Sequence, residues 1–167
     1  AEGLSCHYVE KEKETKITAQ YVLCAVGRAP NTEGLFGEGV ELQMERGRVV
    51  VDEHFKSSMD GVYAIGDLIK GAQLAHLASA QGVCLVQELT GHPRSVDLSV
   101  VPGCVYTSPE IATVGITESE AKEKGIAVNV GKFMMSANGK SLISKEERGF
   151  VKVVADKETR VILGAQM

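Results

Sequence analysis

The sequence has 167 residues, which is enough for one ordinary domain or for parts of two. Hydrophobic residues make up 44% of it and no tract is of low complexity, so the composition excludes a disordered chain. The formal net charge of -4 is spread along the chain and gives no basic surface for nucleic acid. No apolar run approaches the roughly 18–20 residues that span a bilayer. We therefore expect a globular protein that binds neither nucleic acid nor membranes.

The first third of the sequence predicts mainly strands. Leu4–Glu10 and Thr15–Gln20 are expected to be strands on either side of a charged turn. The continuous apolar run Tyr21–Val26 is typical of a strand that is buried on both faces. Two short strands are expected further along, at Arg48–Val51 and Gly61–Ile65.

A helix is predicted from Leu74 to Leu89, because apolar residues recur there at helical spacing. The residues of the expected apolar face are Leu74, Ala78, Leu85 and Leu89, with Leu77 and Val86 beside it. Gly91 is followed two residues later by proline, which is typical of a helix end.

A second region is predicted to begin near Val100. Cys104–Pro109 and Ile111–Gly115 are expected to be extended. Thr117 and Glu120 have the spacing of a capping box, in which each side chain accepts a hydrogen bond from the backbone N–H of the other. The helix that follows is expected to be short, since a glycine stands at position 125.

Three further strands complete the predicted elements: Ala127–Met135, Phe150–Ala155 and Val161–Met167, the last two joined by a polar hairpin loop. The expected fold class is therefore α/β followed by α+β. Residues 1–98 are interpreted as the tail of Rossmann-like nucleotide-binding layers, and residues 99–167 as the first part of an α+β domain. Because the chain starts without methionine and stops inside an apolar run, we expect a fragment of a longer protein.

The four cysteines lie far apart in the sequence, at Cys6, Cys24, Cys84 and Cys104. They have neither the paired spacing of a zinc site nor the close spacing of a redox-active dithiol. Each lies in an apolar segment, where free cysteine behaves as a small hydrophobic residue. We therefore expect four buried structural thiols, no metal site, and a cytoplasmic location, where disulfides are rare.

The first candidate site is the predicted strand end Tyr63–Asp67 together with the helix start that follows. Gly66 has no side chain, so a ligand can approach the backbone there. The Asp67 carboxylate can accept hydrogen bonds from a sugar or ribitol hydroxyl. The helix start near Ala75 offers free N–H groups and the positive end of the helix dipole. Alternatively, Gly66-Asp67 is only a turn, since both residue types are favoured in turns.

A second candidate is Gly27-Arg-Ala-Pro-Asn31, directly after the predicted buried strand. Ligands of open α/β sheets bind at the carboxyl ends of strands, and Arg28 can contact a phosphate or a ribose there. Alternatively, Arg28 is a solvated loop residue. A third segment, Tyr106–Gly115, contains no nucleophile paired with a base, so we expect a structural role for it.

Taken in order, six segments resemble the pyridine-nucleotide–disulfide oxidoreductase family. They are Gly27-Arg-x-Pro-Asn31, Gly47-Arg48 with Val50-Val-Asp52, Gly61-x-Tyr-Ala-Ile-Gly-Asp67, Tyr106-Thr-x-Pro-Glu110, Val114-Gly115 and Gly149-Phe-Val-Lys152. Members of this family have an FAD-binding domain, an inserted NAD(P)-binding domain and a dimerisation domain. The resemblance implies that residues 1–98 are the C-terminal part of the NAD-binding domain and the FAD-binding segment that follows it. It also implies that residues 99–167 are the incomplete start of the dimerisation domain of a homodimer. Within the family, Leu74-Ala-His76 is similar to the dihydrolipoamide dehydrogenases, although Gln73 stands where many members have methionine.

The resemblance also implies cofactor contacts. Asp67 would hold the ribitol of FAD, the backbone N–H of Ala75 would face the pyrimidine end of the flavin, and Gly27 would lie against NAD. The implied cofactor-binding residues are Gly27, Arg28, Gly66, Asp67, Leu74, Ala75 and His76. The implied reaction is the oxidation of a dihydrolipoyl dithiol, with electrons passing through an enzyme disulfide and the flavin to NAD. The implied partners are lipoyl-bearing components of 2-oxoacid dehydrogenase or glycine cleavage complexes.

Three parts that this chemistry needs are absent from the sequence. There is no Gly-x-Gly-x-x-Gly loop, no closely spaced cysteine pair, and no match to the histidine–glutamate pair that the family places near its carboxyl terminus. The histidines, expected to be surface or structural, are His7, His54, His76 and His92. We therefore expect no catalytic residue here, and an inactive chain whose parent protein is the oxidoreductase.

Two alternatives stay open at this point. One is another flavin disulfide reductase, similar to glutathione or mercuric reductase. The other is a non-catalytic module that dimerises through residues 100–167 and binds no cofactor.

Overall fold

The computed structural model describes residues 3–145 and 148–167. They form two compact units, one through Asn31 and one from Thr32 onward. This division differs from the predicted domain boundary after residue 98, which stays a prediction.

The first unit is a β-hairpin. Strands β1 (Leu4–Glu10) and β2 (Lys13–Ala19) pair antiparallel, with Leu4 opposite Ala19. The two turn residues, Lys11 and Glu12, both have positive φ, as a type I′ turn requires. Both predicted strands are confirmed.

The predicted buried strand Tyr21–Val26 is wrong in this structure. The segment has no regular secondary structure, and the side chain of Leu23 is 90% exposed. A strand that is buried on both faces needs neighbouring strands and layers packed over it. In the described part of the chain, no strand pairs with this segment, so its apolar residues stay in solvent.

The second unit starts with short, irregular elements around a small core. Strands β3 (Met44–Glu45) and β4 (Arg48–Val49) form a two-residue ladder. The predicted strand at Gly61–Ile65 is reduced to one bridge, between Lys56 and Tyr63. The core residues of this region are Val49, Phe55, Ala64 and Ile69.

Helix α1 (Ala75–Leu89) confirms the predicted helix, with Leu74 as its N-cap and Thr90 as its C-cap. Its buried stripe is Leu77, Gln81 and Cys84. The expected apolar face is therefore wrong in part, because Leu89 at its end is 57% exposed. The expected face was defined by apolar residues alone and therefore did not include Gln81, which lies in the buried stripe.

The rest of the second unit is built on a five-stranded antiparallel sheet with the order β5-β6-β9-β8-β7. Its strands are β5 (Gly103–Val105), β6 (Ile111–Gly115), β7 (Val128–Met134), β8 (Phe150–Asp156) and β9 (Ile162–Gln166). Each one lies within a predicted extended segment or extends it by one residue. Val154 of β8 is fully buried.

Two short helices accompany this sheet. Helix α2 (Glu118–Glu123) has the predicted capping box: Thr117 Oγ1 accepts from the Glu120 N–H, and the Glu120 carboxylate accepts from the Thr117 N–H. Helix α3 (Gly139–Ser144) was not predicted; its N-cap is Asn138, whose side chain accepts from the Ser141 N–H.

The expectation of four buried thiols is wrong for three of them. Cys84 on α1 is buried, whereas Cys6, Cys24 and Cys104 are exposed. Cys6 lies on strand β1 of the hairpin, whose residues are all exposed, and Cys104 lies on edge strand β5. An apolar sequence neighbourhood buries a thiol only where another layer packs over it.

Among the described residues, no helix has the length and apolar character that a bilayer-spanning segment needs. Within the same residues, no group of three or more histidine, cysteine or acidic side chains is arranged to hold a metal ion.

Candidate functional site

The centre of the site is the tight turn at Gly66–Leu68, a single turn of 3-10 helix. Gly66 has φ +69, a left-handed conformation that glycine adopts without strain. A Cβ at this position would lie 2.9 Å from the Ala78 Cβ on α1. The turn therefore packs directly against the helix, and only glycine fits at the contact.

One hydrogen bond joins this turn to α1. The Gly66 N–H donates to Gln81 Oε1 over 2.7 Å, and Gln81 is only 7% exposed. Ala78 and Gly82, on the same side of the helix, are small enough to let the turn approach. Sequence reasoning missed Gln81. The available indication was its spacing of four residues after Leu77, which places an amide in the buried stripe.

The amino end of α1 is open. The N-cap Leu74 offers no side-chain acceptor, and the first intrahelical bond runs from the Ala78 N–H to the Leu74 carbonyl over 3.0 Å. The backbone N–H groups of Ala75, His76 and Leu77 therefore have no acceptor in the described part of the chain. They carry the positive end of the helix dipole, which favours a negatively charged or electron-rich ligand.

Asp67 stands beside this helix end. Its side chain is half-buried and makes no hydrogen bond or ion pair with any residue in the described ranges. Its backbone carbonyl lies 3.5 Å from the amide nitrogen of Gln73, just before the helix. Because Gly66 packs on Ala78, one turn along from Ala75, the turn that carries Asp67 lies against the first turns of α1.

His76 and Leu74 are placed differently from each other. His76 Nε2 hydrogen-bonds the Pro102 carbonyl over 2.8 Å, so its ring is held toward the sheet, while Leu74 is half-buried at the N-cap. The ring also lines an apolar groove of about 530 Å³, together with residues of β5, β6 and β9. The predicted cofactor contact at this helix end therefore rests on backbone groups and not on the imidazole.

Gly27 and Arg28 belong to the first unit, whereas Asp67 and Ala75 belong to the second. Gly27 has φ +76, and both residues are exposed. The contact of Gly27 with NAD and the cofactor contact of Arg28 stay predictions.

The carboxyl end of α1 carries a charge cluster. Glu88 pairs with the Arg94 guanidinium and, over 3.1 Å, with His54 Nδ1. The Arg94 hydrogen bond first and the His54 hydrogen bond second hold the pKa of Glu88 below its ordinary value of 4.5. Cations near this end are also favoured by the helix dipole. The cluster joins the last turn of α1 to the segment that contains Phe55.

The lowered pKa of Glu88 predicts a pH-dependent contribution to stability. A depressed carboxyl pKa stabilises the folded state above the unfolded value of 4.5, and the effect is lost as the pH falls through the lower folded pKa. We expect Glu88→Gln to lower the melting temperature by a few degrees at pH 7, and the difference from wild type to shrink steadily below pH 4.5. Thermal unfolding between pH 2.5 and 7 measures this, with exposed Glu123→Gln on α2 as the control. A difference that is constant with pH would contradict the assignment.

Comparison with known proteins identifies the family. The sequence model described as "Pyridine nucleotide-disulphide oxidoreductase" matches residues 1–82, and the model of the dimerisation domain of the same family matches residues 101–167. Dihydrolipoyl dehydrogenase of Bacillus subtilis is 44% identical over 160 residues, which are 95% of this chain and 34% of that protein. Leghemoglobin reductase of Glycine max is 44% identical over 156 residues, which are 93% of this chain and 30% of that protein. The chain thus spans about a third of the length of these curated relatives.

Solved structures agree with this result. The HOCl-induced flavoprotein disulfide reductase RclA from Escherichia coli has a TM-score of 0.80 at 28% identity, over 92% of this chain and 36% of that one. LpdA from Mycobacterium tuberculosis has a TM-score of 0.79 at 30% identity, over 91% of this chain and 34% of that one. The predicted fold class is confirmed as parts of nucleotide-binding and dimerisation domains. The chain belongs to the pyridine nucleotide-disulphide oxidoreductase family.

Proposed function

We propose that this chain is part of a dihydrolipoyl dehydrogenase, a flavoprotein that oxidises dihydrolipoyl groups with NAD by way of FAD and an active-site disulfide. The observation that carries the proposal is the joint placement of the Asp67 carboxylate and the open amino end of α1. The substrate class is supported by relatives named dihydrolipoyl dehydrogenase, at 44% identity in Bacillus subtilis and 42% in Geobacillus stearothermophilus.

The described residues fit two chemically different parts of FAD. The Asp67 carboxylate accepts hydrogen bonds from hydroxyls, as the ribitol chain requires. The Ala75 N–H donates to an electron-rich oxygen, such as those of the pyrimidine end of the flavin. Gly66 brings the backbone close without a side chain in the way. FAD held by these residues would supply the two-electron redox chemistry that links oxidation of the dithiol, by way of the disulfide, to NAD.

The helix end contributes to the energetics of this chemistry as well as to binding. A helix amino terminus stabilises nearby negative charge by about 0.3–1 kcal/mol, and by up to ~2 kcal/mol when partly buried. For a two-electron couple, about 1.4 kcal/mol corresponds to roughly 30 mV. Reduction places electrons in the flavin, so the amino end of α1 would raise the flavin potential by roughly 6–20 mV, and by up to about 40 mV where the site is partly buried.

The remaining parts of the proposal concern the parent protein. Gly27 lies against NAD, Arg28 contacts a phosphate or ribose of a cofactor, and residues 101–167 contribute to a homodimer, as the dimerisation-domain match supports. The partners are lipoyl-bearing components of 2-oxoacid dehydrogenase or glycine cleavage complexes, and the location is cytoplasmic.

The chain alone supports no turnover, since all four of its cysteines are free and far apart in sequence. Steady-state assay of the purified chain with dihydrolipoamide and NAD tests this, and turnover near that of a full enzyme would contradict it.

The Asp67 carboxylate provides the direct test of flavin binding. In the flavoprotein that carries this chain, we expect Asp67→Ala to weaken FAD retention by roughly tenfold or more, because hydrogen bonds to a charged group are worth about 1.5–3 kcal/mol. Titration of the apoprotein with FAD, followed by flavin fluorescence, measures the dissociation constant. Asp60→Ala is the matched control, since the Asp60 side chain is 95% exposed and forms an exposed ion pair with Lys56. Equal FAD affinity in the two variants would refute the role of Asp67.

A further inference from the structure

The buried stripe of α1 contains one polar side chain, Gln81, between Leu77 and Cys84. Gln81 is 7% exposed, and Cys84 one turn further is fully buried. Burying an amide costs free energy unless it is hydrogen-bonded. A methionine or leucine would fill the same space without that cost. The amide therefore matters through the bond it makes, and that bond is to Gly66.

The bond fixes the position of the turn at Gly66–Leu68 on the helix. Gly66 donates to Gln81 Oε1 over 2.7 Å, and its Cα packs toward Ala78. On the next turn, a Cβ at Gly82 would lie 3.4 Å from Ile65 Cδ1, so the chain just before Gly66 also follows the helix surface. Gln81 lies between these two small residues and is the only one of the three that can hydrogen-bond the turn with its side chain.

This arrangement couples two groups that face a ligand. Asp67 follows directly after Gly66, and the free N–H groups of the helix lie one to two turns before Gln81 on the same rigid element. If the bond to Gly66 is lost, the turn can slide or rotate on α1, and the carboxylate then moves relative to the helix end. A ligand that contacts both groups is sensitive to that displacement.

We propose that Gln81 is a positioning residue for flavin: it holds the Gly66–Asp67 turn on α1, so that the carboxylate and the amino end of the helix contact one bound FAD together. The proposal rests on the proposed function, because it takes FAD to be the ligand. Gln81 touches no reacting atom and acts only through the backbone of Gly66.

The test compares three variants in the flavoprotein that carries this chain. Gln81→Met removes the acceptor and keeps the volume. Gln81→Glu keeps an acceptor oxygen at the same reach in either ionisation state. Gln87→Met is the matched control, because Gln87 Oε1 accepts from the Ser95 N–H over 2.9 Å at the far end of the same helix. Each variant is measured for the FAD dissociation constant, the flavin midpoint potential and the melting temperature.

We expect Gln81→Met to raise the FAD dissociation constant by roughly three- to tenfold, the effect of one backbone hydrogen bond. We also expect a lower midpoint potential, because displacement of the helix end removes positive potential from the flavin. Gln81→Glu is expected to keep the FAD dissociation constant and the midpoint potential close to their wild-type values. Gln87→Met is expected to lower the melting temperature and to leave the dissociation constant and the potential at wild-type values. A merely structural Gln81 would change the melting temperature alone.

Two results would overturn the inference about Gln81 while FAD binding by the wild-type protein stands. One is an equal change of FAD affinity and potential in Gln81→Met and Gln87→Met. The other is a Gln81→Glu protein that folds but resembles Gln81→Met in both quantities. Absence of FAD binding by the wild-type protein is a different result, which would overturn the proposed function itself.

Discussion

Gly164→Ala is expected to lower the free energy of unfolding of the second unit by at least about 3 kcal/mol. Gly164 on β9 lies directly opposite Gly115 on β6. A Cβ at Gly164 would lie 2.1 Å from the Ile116 carbonyl oxygen and 2.8 Å from its nitrogen. Both atoms belong to the backbone, so no side-chain rotation relieves the overlap and strands β6 and β9 must separate.

Gly115→Ala is expected to have an effect of similar size for two reasons. Its Cβ would lie 2.0 Å from the Leu163 carbonyl oxygen, and its φ of +65 adds a left-handed cost of about 1–2 kcal/mol for alanine. Urea unfolding followed by circular dichroism measures both variants. The control is Gly131→Ala on β7, where nothing lies within 4 Å of the new methyl group and φ is not left-handed. Gly131→Ala should change stability by less than about 1 kcal/mol, and a similar loss there would contradict the steric explanation.

Patterns of residues close together in the sequence were sufficient to predict much of the fold. The hairpin β1–β2, the capping box of α2 and the β8–β9 hairpin each depend on residues close together in the sequence, and the structure confirms them. The extent of α1 was predicted to within one residue, since both its periodicity and its end at Gly91 are local.

Features that depend on distant packing were not predictable. Tyr21–Val26 has the composition of a buried strand, but burial is a property of the neighbouring layers, and the segment is exposed here. The same reasoning applies to Cys104, which was expected to be buried and lies exposed on an edge strand. The Gly115–Gly164 contact joins strands about fifty residues apart. The sequence analysis named Gly115 only within the segment Val114-Gly115, which resembles the family, and it did not predict the contact with Gly164.

The candidate site was predictable in its parts but not in its assembly. Gly66, Asp67 and Ala75 followed from the chemistry of a strand end and a helix start. Their mutual placement depends on Gln81 and Ala78, which bring the turn onto the helix. A glutamine in a helix is ordinarily counted as a surface residue, so periodicity gave no reason to connect it with a turn fifteen residues earlier.

Gly66→Ala is expected to weaken FAD retention by roughly thirtyfold or more in the flavoprotein that carries this chain. The new methyl group would lie 2.9 Å from the Ala78 Cβ, and alanine is strained at φ +69. Overpacking costs about 1–3 kcal/mol and the left-handed conformation about 1–2 kcal/mol. Both costs are relieved only if the turn moves away from α1. That movement breaks the hydrogen bond between Gly66 and Gln81 and displaces the Asp67 carboxylate.

Two further variants distinguish the effect of the steric contact with Ala78 from the effect of the left-handed backbone strain. Gly61→Ala has the same left-handed requirement, at φ +75, but nothing lies within 4 Å of its new methyl group. It should therefore retain FAD like wild type, with only the modest loss of stability that the strain causes. Ala78→Gly in the Gly66→Ala background removes the opposing methyl and is expected to recover a large part of the FAD affinity. Because the two residues touch, their effects should be non-additive in a double-mutant cycle. Additive effects would show that the turn does not depend on its contact with the helix for its position.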